Sequence, residues 1–90
     1  MQSKSQQRLL AEAHLSNKEW YNHGQSGKAA LALAAQGLVI FRPASGGVGN
    51  YIAPAIKITD AGRAAIASVG EPIISEAIRM LEVKQARETK

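Results

Sequence analysis

Three stretches of this chain carry residue types that could do chemistry, but each one fits a structural role better than a catalytic one. His14 and His23 are nine residues apart, and neither a His-Glu-x-x-His pattern nor any cysteine accompanies them. The run from Gly46 to Gly49 suggests a phosphate cradle but does not open a helix after a strand, and Ser26-Gly27-Lys28 lacks the upstream glycine of a Walker motif. We therefore expect no catalytic residues, no metal site and no cofactor.

Length, composition and charge restrict the class of protein. Ninety residues allow one domain, and with only one Trp, two Tyr and one Phe its core must consist of aliphatic side chains. The absence of cysteine excludes disulfides and thiolate metal sites, and no signal peptide or membrane-spanning run is apparent, so a cytoplasmic protein is predicted. A net charge of +4 suits a polyanionic partner, although many proteins that bind none share it.

Two helices are predicted in the first part of the chain. Residues 3–14 place apolar side chains at helical spacing behind a serine cap. Ser16-Asn17-Lys18-Glu19 then has the spacing of a capping box, in which the serine and the glutamate satisfy each other's backbone amides. This predicts a second, short helix that turns Trp20 inward and ends at His23-Gly24.

A third helix is predicted from Gln25 or Ser26 to Gln36, because Gln36-Gly37-Leu38 is typical of a helix C-terminus followed by a left-handed glycine. At 100° per residue, one side of this helix is apolar and has Leu31 at its margin. That side consists of Ala30, Leu33 and Ala34. The opposite side consists of Gln25, Lys28, Ala29, Ala32 and Gln36. The first side is predicted to be core, and the second is available to a partner.

A β-hairpin and a fourth helix should follow. Leu38 to Arg42 is rich in β-formers and stops at a proline, whereas residues 44–50 hold three glycines and an asparagine, which is typical of a hairpin tip. The return strand spans residues 51–58 and must be an edge strand or bulged at Pro54, which cannot donate to a ladder. Thr59 can then cap a helix that extends through Ala67.

The last helix is predicted from Ile73 to about Arg87, with Pro72 at its start, so residues 71–90 form a C-terminal helix after a domain of residues 1–70. Its apolar stripe must be covered either by the first helix of the same chain or by a second copy. We favour a homodimer. The dimer contacts would come from Ile74, Ile78 and Leu81.

The order of these elements, together with the stretches LALAAQGLV and ITDAGRAAI on either side of a hairpin, resembles the winged helix-turn-helix domains of small bacterial and phage regulators such as MarR-like and PadR-like proteins. The resemblance covers residues 3–69. It implies an α+β fold with three helices, a β-hairpin wing and two further helices, and a third helix that lies in the major groove of double-stranded DNA. The implied function is a cytoplasmic, DNA-binding regulator of transcription.

Carried over position by position, the resemblance assigns DNA contacts to both sides of the predicted groove. The residues are Gln25, Ser26, Lys28, Ala29, Ala32 and Gln36 on the third helix, with Arg42 and Lys57 flanking the wing. Amides and lysine can contact base edges or phosphates, and an alanine methyl can touch a thymine methyl. An alternative stays open, because the helix has no arginine and the wing tip has no basic residue. In that alternative the chain is a winged-helix protein-interaction module of a phage or mobile element, and the small residues admit a protein partner.

Overall fold

A computed structural model describes residues 3–23 and 27–88, and this part of the chain forms an α+β fold with four helices and one two-stranded antiparallel hairpin. The elements are α1 (Lys4–Leu15), α2 (Gly27–Ala35), β1 (Val39–Arg42), β2 (Ala55–Ile58), α3 (Asp60–Ile66) and α4 (Glu71–Glu88). Helix α1 is the centre of the packing, since it contacts all three other helices and β2. The order of elements is compatible with a winged-helix-like arrangement.

Helix α1 confirms the prediction for the N-terminal part of the chain. Ser3 caps it, because its side-chain oxygen accepts a hydrogen bond from the backbone N–H of Gln6 at 3.2 Å. One face of the helix is buried and includes Leu9, Leu10 and Ala13. These residues join Leu33 of α2 and Ile56 of β2, which are both fully buried, in a single aliphatic core.

The short helix predicted from Ser16 is wrong, because residues 16–23 form no helix. The Ser16 hydroxyl instead donates to the carbonyl of Ala13 and accepts from the N–H of Lys18. Further on, Tyr21 exchanges two backbone hydrogen bonds with Ile56 of β2, at 2.8 and 2.9 Å. A helix of two turns is marginal by itself, so the pairing with β2 and the burial of Tyr21 prevail over the local capping signal.

Helix α2 ends as predicted, and the end is a Schellman motif. Gly37 has a φ of 77°, and its N–H donates to the carbonyl of Ala34 at 3.0 Å. The N–H of Leu38 donates to the carbonyl of Leu33, also at 3.0 Å. These two bonds satisfy carbonyl groups at the end of the helix and turn the chain directly into β1. The predicted glycine stop is confirmed.

The hairpin is also present, but its regular ladder is shorter than predicted on the return side. β1 and β2 pair from Val39 opposite Ile58 to Arg42 opposite Ala55, and the same register recurs where Ser45 pairs with Ile52. In that register Pro43 lies opposite Pro54. Neither proline has an N–H to donate, so the regular ladder is interrupted between the two paired segments.

Thr59 and Gly62 attach α3 to the end of the hairpin. The Thr59 hydroxyl accepts from the N–H of Gly62 at 3.1 Å and lies 2.8 Å from the carbonyl oxygen of Gly37 and 2.9 Å from that of Leu38. Gly62 is buried directly against the Leu38 carbonyl, where a Cβ atom would overlap that oxygen. The ITDAGR stretch is therefore a packing motif in which a cap and a close approach fix α3.

Helix α4 packs along α1 of its own chain, which is one of the two arrangements left open by its apolar stripe. Ala77 is fully buried, and Leu81 packs against the aliphatic core. Ile74 is half-buried, whereas Ile78 keeps 44% of its surface exposed. Among the described residues, no helix combines the length and the apolar character needed to cross a bilayer.

A polar network fastens this packing around Tyr21. Its buried hydroxyl donates to Oε1 of Glu12 at 2.6 Å and accepts from the ammonium of Lys84 at 2.9 Å. Lys84 also donates to the carbonyl of Asn22 at 2.7 Å, and Arg8 lies 3.5 Å from the second oxygen of Glu12. Side chains from α1, α4 and the 16–23 loop are thereby joined at one buried phenol.

Gly62→Ala should destabilise the fold strongly, because the added methyl has no space between the Leu38 carbonyl and Cγ1 of Ile58, which would lie 2.7 Å away. We expect a loss of about 1–3 kcal/mol or more in the free energy of unfolding, measured by chemical denaturation. Gly27→Ala is the matched control, since no atom lies within 4 Å of its added Cβ. Equal stabilities of the two variants would contradict this account of α3.

Candidate nucleic-acid interface

Trp20 lies on the outer surface of the hairpin, beneath two cations. Because Tyr21 pairs with Ile56 and turns its side chain to the core, the preceding Trp20 points to the opposite face. The Arg42 guanidinium carbon lies 4.9 Å from the centre of the Trp20 ring, and the Lys57 ammonium lies 5.9 Å from it. We call Trp20, Arg42 and Lys57 the tryptophan cluster.

The prediction that Trp20 faces inward is therefore wrong, and its neighbour Tyr21 occupies the buried position. In an extended segment adjacent side chains point to opposite faces, so only one of two consecutive aromatic residues can enter the core. The buried side is further filled by His23, which stacks on Phe41 with ring centres 5.7 Å apart. Trp20 remains half-buried under its two cations.

The two cations of the cluster differ in their partners. Lys57 forms an ion pair with Glu19 at 3.3 Å, between side chains that are 40% and 71% exposed, and such a surface pair is weak. Arg42 has no carboxylate partner among the described residues, and its buried Nε has no hydrogen-bond acceptor there. Within the described part of the chain, the contact that positions the guanidinium is with the indole ring, and such a contact is worth about 0.5–2 kcal/mol. Because Nε is buried, an external anion would have to bind the two terminal nitrogens of the guanidinium.

Helix α2 supplies a second surface, and its outward face is rotated relative to the prediction. Lys28 is exposed as expected, and Leu31, which was placed at the margin of the core, is 56% exposed. Ala29 instead packs against the core, and Ala32 is half-buried. The rotation arises because α1 covers one flank of this helix, so the outward face is centred on Lys28.

Gln36 is exposed but is already engaged within the chain. Its side-chain amide donates to Oε1 of Gln6 on α1 and to the carbonyl of Ala32, both at 3.1 Å. Gln25 and Ser26, which were also predicted to contact DNA, lie outside the described residues. Of the predicted positions, the structure therefore brings Arg42 and Lys57 together and leaves Lys28 exposed on α2.

The tip of the hairpin forms a tight turn and has no charged side chain. The N–H of Asn50 bonds to the carbonyl of Gly47, whose own N–H bonds to the Asn50 side chain at 2.8 Å. Gly46 and Gly49 have φ values of 81° and 90°, which accounts for the glycines of this run as a hairpin tip. Val48 at the tip is fully exposed.

The structure offers no alternative site built from metal ligands. Within residues 3–23 and 27–88, no three His, Asp or Glu side chains come together. His14 is exposed at the end of α1, whereas His23 is buried against Phe41. Lys28, which was considered as part of an incomplete Walker motif, lies in the first turn of helix α2.

The sequence contains a partial signal for the tryptophan cluster. Pairing the two predicted strands with Ile40 opposite Lys57 places Arg42 and Lys57 on one face by the two-residue period of a strand. Trp20 was missed because its position depends on the Tyr21–Ile56 bridge, which joins residues 35 positions apart.

Comparison with known proteins adds nothing to these observations, because no family model, curated protein or solved structure matches this chain. What can be said of its function therefore depends on the geometry just described.

Fluorescence of Trp20, the sole tryptophan, should report the cluster. In Arg42→Ala the ring loses the guanidinium that covers it, so its emission should shift to longer wavelength and acrylamide should quench it more strongly. Quenching by iodide should fall relative to acrylamide, because a nearby positive charge that attracts the anion is gone. Arg79→Ala, which removes an exposed charge from α4, is the control. Unchanged emission and quenching in Arg42→Ala would contradict the contact.

Proposed function

We propose that this protein binds double-stranded DNA as a winged-helix transcriptional regulator, with α2 in the major groove and the base of the hairpin on the backbone. One observation carries the proposal: the tryptophan cluster holds Arg42 and Lys57 on the outer face of the hairpin, and Arg42 has no carboxylate partner among the described residues. A positioned guanidinium with unused donors suits a phosphate oxygen. The net charge of +4 favours such a polyanion.

The dimensions of α2 support its placement in the groove. An α-helix with its side chains is about 10–12 Å in diameter and the major groove of B-DNA is about 12 Å wide, so α2 can enter the groove. Lys28 stands in the first turn of the outward face, from which an ammonium can reach a phosphate or a guanine edge. The small Ala32 and Ala35 allow that face to approach base edges closely.

The proposed mode differs from the usual motif in one respect. The helix expected between α1 and α2 is replaced by the 16–23 loop, so α2 is held against α1 and β1 and not against a preceding short helix. This loop contributes Trp20 to the interface and so takes part in placing the two wing cations. DNA affinity would then depend on phosphate contacts from both the helix and the hairpin.

A protein-interaction module is the second candidate, and the apolar side chains on the outside of the molecule favour it. Ile40, Ile52 and Tyr51 of the hairpin are each at least half exposed, and Val48 is fully exposed. Leu31 on the outward face of α2 is 56% exposed. In this function α2 and the hairpin would contact a protein through apolar surface, and the cations would contribute to the rim.

Dimerisation through α4 is part of the DNA-binding proposal, because two copies would double the number of phosphate contacts. Of the three side chains predicted to form the dimer contacts, Ile78 is the most exposed, with 44% of its surface exposed. Leu81 already packs on the core of its own chain, and Ile74 is half-buried, so both would lie at the edge of the contact between the two α4 helices. A second α4 crossing at Ile78 would cover the exposed part of the apolar stripe.

Lys28→Ala and Arg42→Ala test DNA binding. Fluorescence anisotropy with a random duplex should show salt-dependent binding by the parent protein, and loss of one phosphate contact should lower the salt slope by about one. We expect this for Arg42→Ala on every duplex. Lys28→Ala should do the same if the lysine meets a phosphate, but should cost about 1–3 kcal/mol only on a preferred sequence if it meets a guanine.

Arg79→Ala provides the matched control, because it removes the same charge from the exposed side of α4 and should leave the slope nearly unchanged. If the parent shows no salt-dependent binding, or if Lys28→Ala and Arg42→Ala bind like the parent, the interaction module replaces the DNA-binding regulator as the function.

Ile78→Asp tests the dimer. A carboxylate without a partner inside an apolar seam costs several kcal/mol, which a small interface cannot offset, so the variant should be monomeric where the parent is dimeric. Light scattering over a concentration series measures this. Arg79→Asp, at the neighbouring exposed position on α4, should leave the dimer intact. A monomeric parent at high micromolar concentration would show that α4 serves its own chain alone.

A further inference from the structure

A pocket of about 310 Å³ lies between the loop that follows α1 and the C-terminal half of α4, away from the tryptophan cluster. Leu15 and Leu81 line it with apolar surface, and the Tyr21 side chain closes the side toward the core. Its volume is at the small end of the range for ligand sites, which is roughly 300–1,000 Å³. A single ring or a fused pair of rings therefore fits it better than a larger molecule.

The charged side chains that line this pocket all have one sign. Three cations line it, namely Lys18, Lys84 and Arg87, and the described side chains of the lining include no carboxylate. Ser16 and Asn22 add neutral polar groups to the same wall. An anion that enters would thus meet positive charge from both the loop and the helix.

Two of these cations have distinct roles. Lys84 is fixed in position, because its ammonium donates to the Tyr21 hydroxyl and the Asn22 carbonyl and lies 4.3 Å from the centre of the Tyr21 ring. Arg87 is exposed, and its guanidinium makes no ion pair or hydrogen bond within the described part of the chain. A lysine held in position by hydrogen bonds and an exposed guanidinium in the same lining together suit a carboxylate, a sulfonate or a phosphate.

We propose that this pocket binds a small organic anion with a flat apolar body. The body lies between Leu15 and Leu81, and the acidic group is directed to the mouth, where Arg87 and Lys18 contact it. The site is separate from the interface with DNA, since none of its lining residues belongs to the tryptophan cluster or to α2. Its test therefore does not depend on whether the protein binds DNA.

Isothermal titration calorimetry with naphthalene-2-sulfonate tests the proposal, and naphthalene-2-sulfonamide is the neutral probe of the same shape. The parent protein should bind the sulfonate and bind the sulfonamide several-fold more weakly, because only the sulfonate carries a negative charge that attracts Arg87 and Lys18. Arg87→Ala and Lys18→Ala should each weaken sulfonate binding by about threefold or more and leave sulfonamide binding unchanged. Amide shifts at Leu15 and Leu81 in heteronuclear NMR spectra should accompany the titration.

Two further variants locate the bound probe. Arg79→Ala removes a charge from α4 outside the lining and should bind the sulfonate like the parent. Arg42→Ala should also do so, unless the probe stacks on Trp20 in place of the pocket. Equal affinities for the two probes, parent-like binding by Arg87→Ala and Lys18→Ala, or loss of binding in Arg42→Ala alone would each overturn the proposal. Circular dichroism of every variant establishes that the fold is retained.

Discussion

The fold depends most on the burial of Tyr21, because this one residue joins three parts of the chain that are distant in sequence. Its backbone pairs with Ile56 of the hairpin, its hydroxyl donates to Glu12 of α1, and the same oxygen accepts from Lys84 of α4. A buried carboxylate such as Glu12 is tolerated only when its oxygens are satisfied. The phenol satisfies one of them, and the network therefore constrains the positions of α1, α4 and the hairpin together.

The same constraint determines what the surface presents. With Tyr21 turned inward in an extended segment, Trp20 must turn outward, where it lies beneath Arg42 and Lys57. On the other side of the loop, Tyr21 and Asn22 form a wall of the pocket against α4. The loop of residues 16–23 thus carries the candidate interface on one side and the candidate anion pocket on the other. A shift in this loop would alter both.

The remaining contacts around the site are short-range and individually small. The Schellman motif at Gly37 sets the direction in which β1 leaves α2. The Thr59 cap and the close packing of Gly62 on the Leu38 carbonyl fix α3 at the end of the hairpin. A chain of 90 residues has a total stability of only about 5–13 kcal/mol, so a few such contacts are a large part of it. The glycines and the capping threonine of the two recognisable stretches therefore have structural roles.

The sequence by itself determined the elements whose signals are local. The serine cap of α1, the glycine stop of α2, the hairpin with its glycine tip and the Thr59 cap of α3 all follow from residues within a few positions of one another. Arg42 and Lys57 were predicted to flank the wing, and the cross-strand register that brings them to one face comes from the pairing of β1 with β2.

Tertiary structure alone decided the features that depend on distant residues. The capping-box spacing of Ser16 and Glu19 predicted a short helix, but residues 16–23 form none. The backbone pairing of Tyr21 with Ile56 and the burial of Tyr21 outweigh a marginal two-turn helix. The outward face of α2 includes Leu31 because α1 covers one flank of the helix. Helix α4 packs on α1, where Ala77 is buried and Leu81 contacts the aliphatic core. The hydrophobic effect is non-directional. An apolar stripe in the sequence therefore predicts that a face will be covered, but it does not identify the surface that covers it.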